Sequence, residues 1–188
     1  MTLMTHDHAL TDAAVIAIRD ERASDVGARE RLLDAAFGPA RRRKTSERLR
    51  EGRAPARGLS LVAMDGDRLV GTIRLWHVDA GGAPALLLGP LAVDASHRSL
   101  GLGARLIGEA LFRAARDGHR AVLLVGDAAY YERFGFSRHG ARDLALPGPV
   151  DIERFLALEF VAGALDGARG MVVATGAPLP ARDRKRAA

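Results

Sequence analysis

The 188-residue chain contains no cysteine. Disulfide frameworks and thiolate nucleophiles are therefore excluded. Its six histidines are scattered without metal-ligand spacing, so no metal site is expected. Aromatic residues make up only 5% of the chain, and none interleave with its basic clusters. No apolar run approaches the ~20 residues of a membrane span. The start, Met1 to His8, lacks the basic and apolar regions of a secretory signal, so a cytoplasmic location with no membrane partner is expected. What is there is 48% hydrophobic and 27% charged, the composition of an ordinary globular domain with a sizeable core.

The formal net charge of +5 comes almost wholly from arginine, concentrated in Arg41-Arg42-Arg43-Lys44 and Arg182-Asp183-Arg184-Lys185-Arg186. Such clusters steer phosphate-bearing partners from a distance. Beside Thr45-Ser46-Glu47-Arg48-Leu49-Arg50 the first cluster reads as a solvated helix face, and the second as a frayed tail. Nucleic acid is accordingly not expected as a partner.

Residues 1–12 read as a loose leader, 13–175 as one α+β domain and 176–188 as a basic tail beginning around Pro178 and Pro180. The β-branched run Ala14 to Arg19 predicts a first strand. Ser24-Asp25 predicts the cap of a helix that carries Val26, Leu32, Leu33 and Phe37 inward and stops at Gly38-Pro39, and a second, arginine-rich helix is predicted over 41–51. Leu59 to Met64 and Arg68 to His77 flank Asp65-Gly66-Asp67, a hairpin signal. An apolar strand from Pro84 to Val93 is interrupted at Gly89-Pro90, which marks a bulge or the place where a neighbouring strand peels away, because proline cannot donate to a ladder. A helix from about Leu100 to Asp117 turns Leu102, Leu106, Ala110, Leu111 and Ala114 inward. A buried strand Ala121 to Val125 follows, then a short helix introduced by Gly126-Asp127 and left through Gly135, a strand opening at Phe136, and strands at Ile152 to Leu158 and Gly170 to Ala174. Closure within one chain and pairing across a homodimer satisfy the 152–158 pattern equally well.

The segment that carries chemistry runs from Leu91-Ala92-Val93 into Arg98-Ser99-Leu100-Gly101-Leu102-Gly103-Ala104. A strand enters a glycine-bearing loop that opens an amphipathic helix, and the free amides of a helix's first turn, at the positive end of its dipole, cradle phosphate. Taken alone, Gly101-Leu102-Gly103 serves a purely structural turn as well as a phosphate. A dinucleotide fingerprint would need glycine where Leu106 stands, and a P-loop would need lysine and Ser/Thr where Glu109-Ala110 follow Gly108, so both readings fail. The pattern Arg98-x-x-Gly101-x-Gly103 directly after a strand resembles the acyl-CoA loop of the GNAT superfamily of N-acetyltransferases. A second segment, Gly126-Asp127-Ala128-Ala129-Tyr130-Tyr131-Glu132-Arg133-Phe134-Gly135-Phe136, is similar to the signature that follows that family's fifth strand, with Gly126-Asp127 where many relatives carry asparagine.

The resemblance implies a mixed, mostly antiparallel sheet with splayed parallel strands 4 and 5 and helices on both faces. It implies acetyl-CoA as cosubstrate, with pantetheine along Leu91, Ala92 and Val93 and pyrophosphate on Arg98, Ser99, Leu100, Gly101, Leu102, Gly103 and Ala104. It implies transfer of acetyl to a primary amine, on a small molecule or a protein, by direct attack through a tetrahedral intermediate, with Tyr131 as general acid toward the CoA sulfur and Tyr130 left to packing. The corresponding strand Leu86-Leu87-Leu88-Gly89 carries no carboxylate for a base, so deprotonation runs through water or through His77, with Asp94 and Glu132 as weaker candidates. The alternative is a non-catalytic acyl-CoA-binding or regulatory module on the same fold. Nothing diagnostic of an acceptor stands in the first helices or the Leu59 to His77 hairpin.

Overall fold

The hairpin signal at Asp65-Gly66-Asp67 organises the centre of the molecule. Ser60–Asp65 (β2) and Arg68–Ala80 (β3) pair antiparallel around Gly66, whose φ of 55° is open to glycine at no steric cost. The computed structural model describes residues 16–179, so the expected leader, the start of the first strand and residues 180–188 lie outside the described part. Ala17–Asp20 (β1) lies beside β2, and Ala83–Val93 (β4) returns antiparallel along β3. Ala121–Val125 (β5) is parallel to β4, and Phe155–Glu159 (β7) closes antiparallel on β5 within the same chain. The short Leu144–Ala145 (β6) pairs with Gly170–Ala174 (β8), which takes up the edge of β3 at residues 78–80. This is the mixed, mostly antiparallel sheet expected, in the order β1-β2-β3-β4-β5-β7.

Strand alternation assigns the helices to opposite faces. Leu61 and Ala63 pack under Leu102–Arg116 (α2), whose Leu102, Leu106, Ile107, Ala110 and Ala114 are buried. Val62 points the other way, into a cluster with Leu32 and Leu33 of Val26–Phe37 (α1). Ala128–Tyr131 (α3) is capped by Asp127, which accepts from the Ala129 N–H at 3.2 Å, and its continuation to Phe134 leaves through Gly135 at φ 88°.

Several expectations are corrected. The 41–51 segment is two 3-10 turns, Pro39–Arg43 and Thr45–Leu49, broken where Lys44 is extended. In its first cluster Arg42, Arg43 and Lys44 are exposed as expected, but Arg41 is 8% exposed and pairs with Glu30 and, at 2.7 Å, with Asp34. Asp25 stands at the start of α1 without capping it, because its carboxylate is taken by Arg19 and the Arg22 N–H. Phe37 is 37% exposed. After the buried Phe136 there is one bridge, Ser137 to Ala157, and no strand, since the chain coils at His139–Ala141 with Gly140 against Ala157. Ile152–Arg154 is a 3-10 turn, and the strand begins at Phe155. Residues 176–179, at the start of the expected tail, lie along 52–54, with Ala54 N–H donating to Ala177 O and Leu179 N–H to Gly52 O.

Beyond β4 the chain is turned by Asp94, which accepts from Ser96 Oγ–H at 2.6 Å and Ser96 N–H at 3.0 Å and pairs with Arg68 at 2.8 Å. Those hydrogen bonds, with the arginine behind them, hold its carboxyl down at about 2. A carboxylate with a depressed folded pKa stabilises above its ordinary value and stops doing so as pH falls through the folded one. Asp94→Ala should therefore cost about 1 kcal/mol near neutrality. In urea titrations that gap should narrow as pH drops from about 4 toward 2, and a gap independent of pH would show that the charge is irrelevant.

Candidate functional site

The site begins where two strands part. β4 and β5 are paired only at Leu86 with Val122 and Leu87 with Leu123, although both run on. The cause lies at Gly89-Pro90. The β3–β4 register shifts between Ile73 and Leu75, so the two residues bulge, and Pro90 has no N–H to offer. The Gly89 carbonyl is taken by the chain's lone tryptophan, Trp76, whose buried Nε1–H donates to it at 2.6 Å.

Past the bulge the outward edge of β4 is open. Asp94 N–H donates to Val70 O, which sets the phase of the ladder: in an antiparallel pair the residues alternate, so Ala92 faces β3 while the peptide groups of Leu91 and Val93 point away from it. Arg98, Ser99 and Leu100 are exposed in the turn that follows, with Ser99 held at φ 66°. Gly101, at φ 72°, precedes α2 and has no side chain to cap it, so no cap occupies the outward amides of Leu102, Gly103 and Ala104. Gly103 also permits a close approach: a Cβ there would stand 3.1 Å from the Tyr130 hydroxyl. That hydroxyl joins the two recognised segments, while the Tyr130 ring packs against Tyr131 and Phe134.

Tyr131 ends α3 over Gly126, where a Cβ would collide with its ring at 2.2 Å. Phe136 meets the ring edge-on at 5.9 Å. Its hydroxyl has no hydrogen-bond partner among the described residues, and burial, reinforced by Tyr130, pushes its pKa up to about 12. Tyr131, Leu88, Gly89, Leu91 and Val125 together line a cavity of about 520 Å³ in the opening between β4 and β5.

The base candidates read from the sequence are not brought to this cavity. His77, on β3, pairs with Leu86 of β4, and its ring faces His119, 5.3 Å away beyond the C-terminal end of α2. Burial, then the neighbouring His77, lower the His119 pKa. Asp94 holds the loop turn, and Glu132 is exposed past α3. The carboxylates that do line the cavity are Glu47, Asp127 and Asp151, of which the last two cap their own short helices. Sequence reasoning missed Trp76, Glu47 and Arg50. A lone tryptophan opposite a Gly-Pro interruption was the available signal for the first. The other two are hidden in a polar run whose burial depends on distant contacts, including Thr45 Oγ–H to Pro149 O and Arg48 to Pro147 O, both at 2.5 Å.

Trp76→Phe keeps the ring and removes the donor, leaving the Gly89 carbonyl buried without its partner. Denaturant unfolding should register a loss of about 1–3 kcal/mol. An unchanged midpoint would mean that the bulge is held by the register alone.

Residues 56–138 match the model of the acetyltransferase (GNAT) domain. An uncharacterized N-acetyltransferase of Escherichia coli K12, YhbS, is 35% identical over 117 residues, covering 61% of this chain and 70% of the relative. The crystal structure of the E. coli GNAT family protein YhbS in complex with CoA superimposes with a TM-score of 0.72 at 32% identity, over 85% of this chain and 89% of that one. A GNAT family acetyltransferase from Brucella melitensis in complex with acetyl-CoA gives a TM-score of 0.66 at 30% identity, over 85% and 96%. On these matches, this chain belongs to the GNAT family of acetyltransferases.

Proposed function

We propose that the chain is an acetyl-CoA-dependent N-acetyltransferase that acts on a primary amine, with residues 13–175 as its catalytic unit. The observation that carries the reading is the opening of β4 from β5, with Tyr131 on one wall and an uncapped helix start at its end. The residues present fit acetyl-CoA, which the Brucella structure contains, and CoA, which the YhbS structure contains. Outward peptide groups at Leu91 and Val93 suit pairing with the amide-bearing pantetheine arm, as an added strand would pair. The amides of Leu102 to Ala104, with Arg98, Ser99, Leu100 and Gly101 leading into them, suit the pyrophosphate.

In the transfer, the neutral amine nitrogen forms a bond to the acetyl carbonyl carbon, and the resulting tetrahedral intermediate collapses with loss of the C–S bond. Outward N–H groups of the β4 edge near Leu91 stabilise the oxyanion. The departing thiolate takes a proton from Tyr131, and the amine's surplus proton makes good that loss. A tyrosine raised to about 12 keeps its proton across the working range, as a donor must.

Tyr131→Phe should lower kcat by roughly 100-fold while acetyl-CoA binding stays within a few-fold, measured by thiol release and calorimetry. In the wild type, no loss of kcat from tyrosine ionisation should occur below about pH 11, because ionisation is deferred toward 12. Gly103→Val, which crowds the Tyr130 hydroxyl, should weaken acetyl-CoA about tenfold or more and also lower the melting temperature of the free protein by a few degrees. Tight CoA binding without turnover of any amine would instead assign the non-catalytic acyl-CoA-binding module.

A further inference from the structure

Three arginines near this face, Arg29, Arg41 and Arg74, meet carboxylates at contact distance. Arg29 pairs with Glu21 and, at 2.6 Å, with Glu30; Arg41 pairs with Glu30 and Asp34; Arg74 donates to Glu21 at 2.8 Å. Arg50 does not. Its side chain is 10% exposed, yet the nearest carboxylate, Glu47, stands at 3.6 Å, and its buried Nε–H has no partner among the described residues. Burial depresses its pKa to about 10, the mark of a cation taken from water with little in return.

Its position shows what that charge could meet. A Cβ on Gly89 would stand 3.0 Å from Arg50 Nη2, so the guanidinium lies against the bulge itself. Arg50 and Glu47 line the cavity that Tyr131 borders, and both also line a second, adjoining one of about 630 Å³ on the far side of Pro90. A cation and an anion therefore sit side by side at the point where, on the reading above, the acetyl group is presented.

We infer that Arg50 and Glu47 form the acceptor subsite and that the acceptor is a free α-amino acid, its carboxylate held by Arg50 and its ammonium by Glu47. The inference rests on the acetyltransferase reading. An α-amino acid carries both groups on one carbon, which matches two opposite charges placed together beside the acetyl carbon. A lysine side chain or a peptide N-terminus brings an ammonium with no carboxylate beside it, and would leave the guanidinium buried and unmatched. In the reaction the ammonium passes one proton through Glu47 to solvent, and the neutral amine then attacks as described.

The test compares free α-amino acids with their carboxamides, the corresponding decarboxylated amines, and tripeptides, by thiol release from acetyl-CoA and by calorimetric binding to the CoA-saturated protein. Free amino acids should be used with kcat/KM about 100-fold above their carboxamides, and Arg50→Gln should erase that difference through KM with kcat within a few-fold. Arg50→Lys should restore part of it. The wild-type comparison needs no variant, so misfolding of Arg50→Gln cannot decide the matter. Equal use of amino acids, carboxamides and tripeptides would overturn the subsite and leave the acetyltransferase reading standing. Arg50-dependent binding of amino acids without turnover would uphold the subsite and remove the activity. Neither binding nor turnover of any free amino acid would overturn the subsite.

Discussion

The hydrogen bond from Trp76 Nε1–H to the Gly89 carbonyl is the contact on which the rest of the site depends. A carbonyl turned out of a sheet ladder and kept from water is costly unless something donates to it. The indole supplies that donor from the neighbouring strand, and the bulge becomes an affordable conformation. Once β4 bulges, it cannot continue its parallel pairing with β5 beyond Leu87. The unpaired peptide groups of Leu91 and Val93, the cavity behind them and the path of the chain into Asp94 all follow from that one divergence.

A second layer closes the opening from the side. The Pro39–Arg43 and Thr45–Leu49 turns cross this face, anchored by Arg41 to Glu30 and Asp34 at one end and by Thr45 and Arg48 to the 147–149 loop at the other. Buried ion pairs add little net stability against hydrophobic packing, but they fix geometry, because breaking one leaves an uncompensated charge. Here they fix a polar wall opposite Tyr131. The same physics makes Arg50 conspicuous: beside Arg29, Arg41 and Arg74, whose charges are balanced at contact distance, its guanidinium has Glu47 only at 3.6 Å and lines a cavity.

Local signals in the sequence were reliable where the physics is local. Asp65-Gly66-Asp67 made its turn, the apolar stripe of α2 was buried as its spacing required, and Asp127 and Gly135 capped and released the helix between them. The Gly89-Pro90 interruption proved to be a bulge. Failures came where a distant partner decides. Arg41 looks solvated until Glu30 and Asp34 are placed around it. Phe136 looks like the start of a strand until Gly140 is seen turning the chain against Ala157. His77 sits on a central strand, but register puts it beside His119 rather than in the cavity, and no local pattern reports register. Trp76 and Arg50 reach Gly89 from elements that the sequence does not visibly connect to it.

The central claim is that acetyl-CoA occupies the open edge of β4 and the start of α2. Amide hydrogen exchange with and without acetyl-CoA tests it at the backbone groups themselves. The account predicts slowed exchange at Leu91 and Val93 and at Leu102, Gly103 and Ala104, with Ala92, already facing β3, little changed. Saturating acetyl-CoA that leaves those amides exchanging as before, or protects a different face of the sheet, would contradict it.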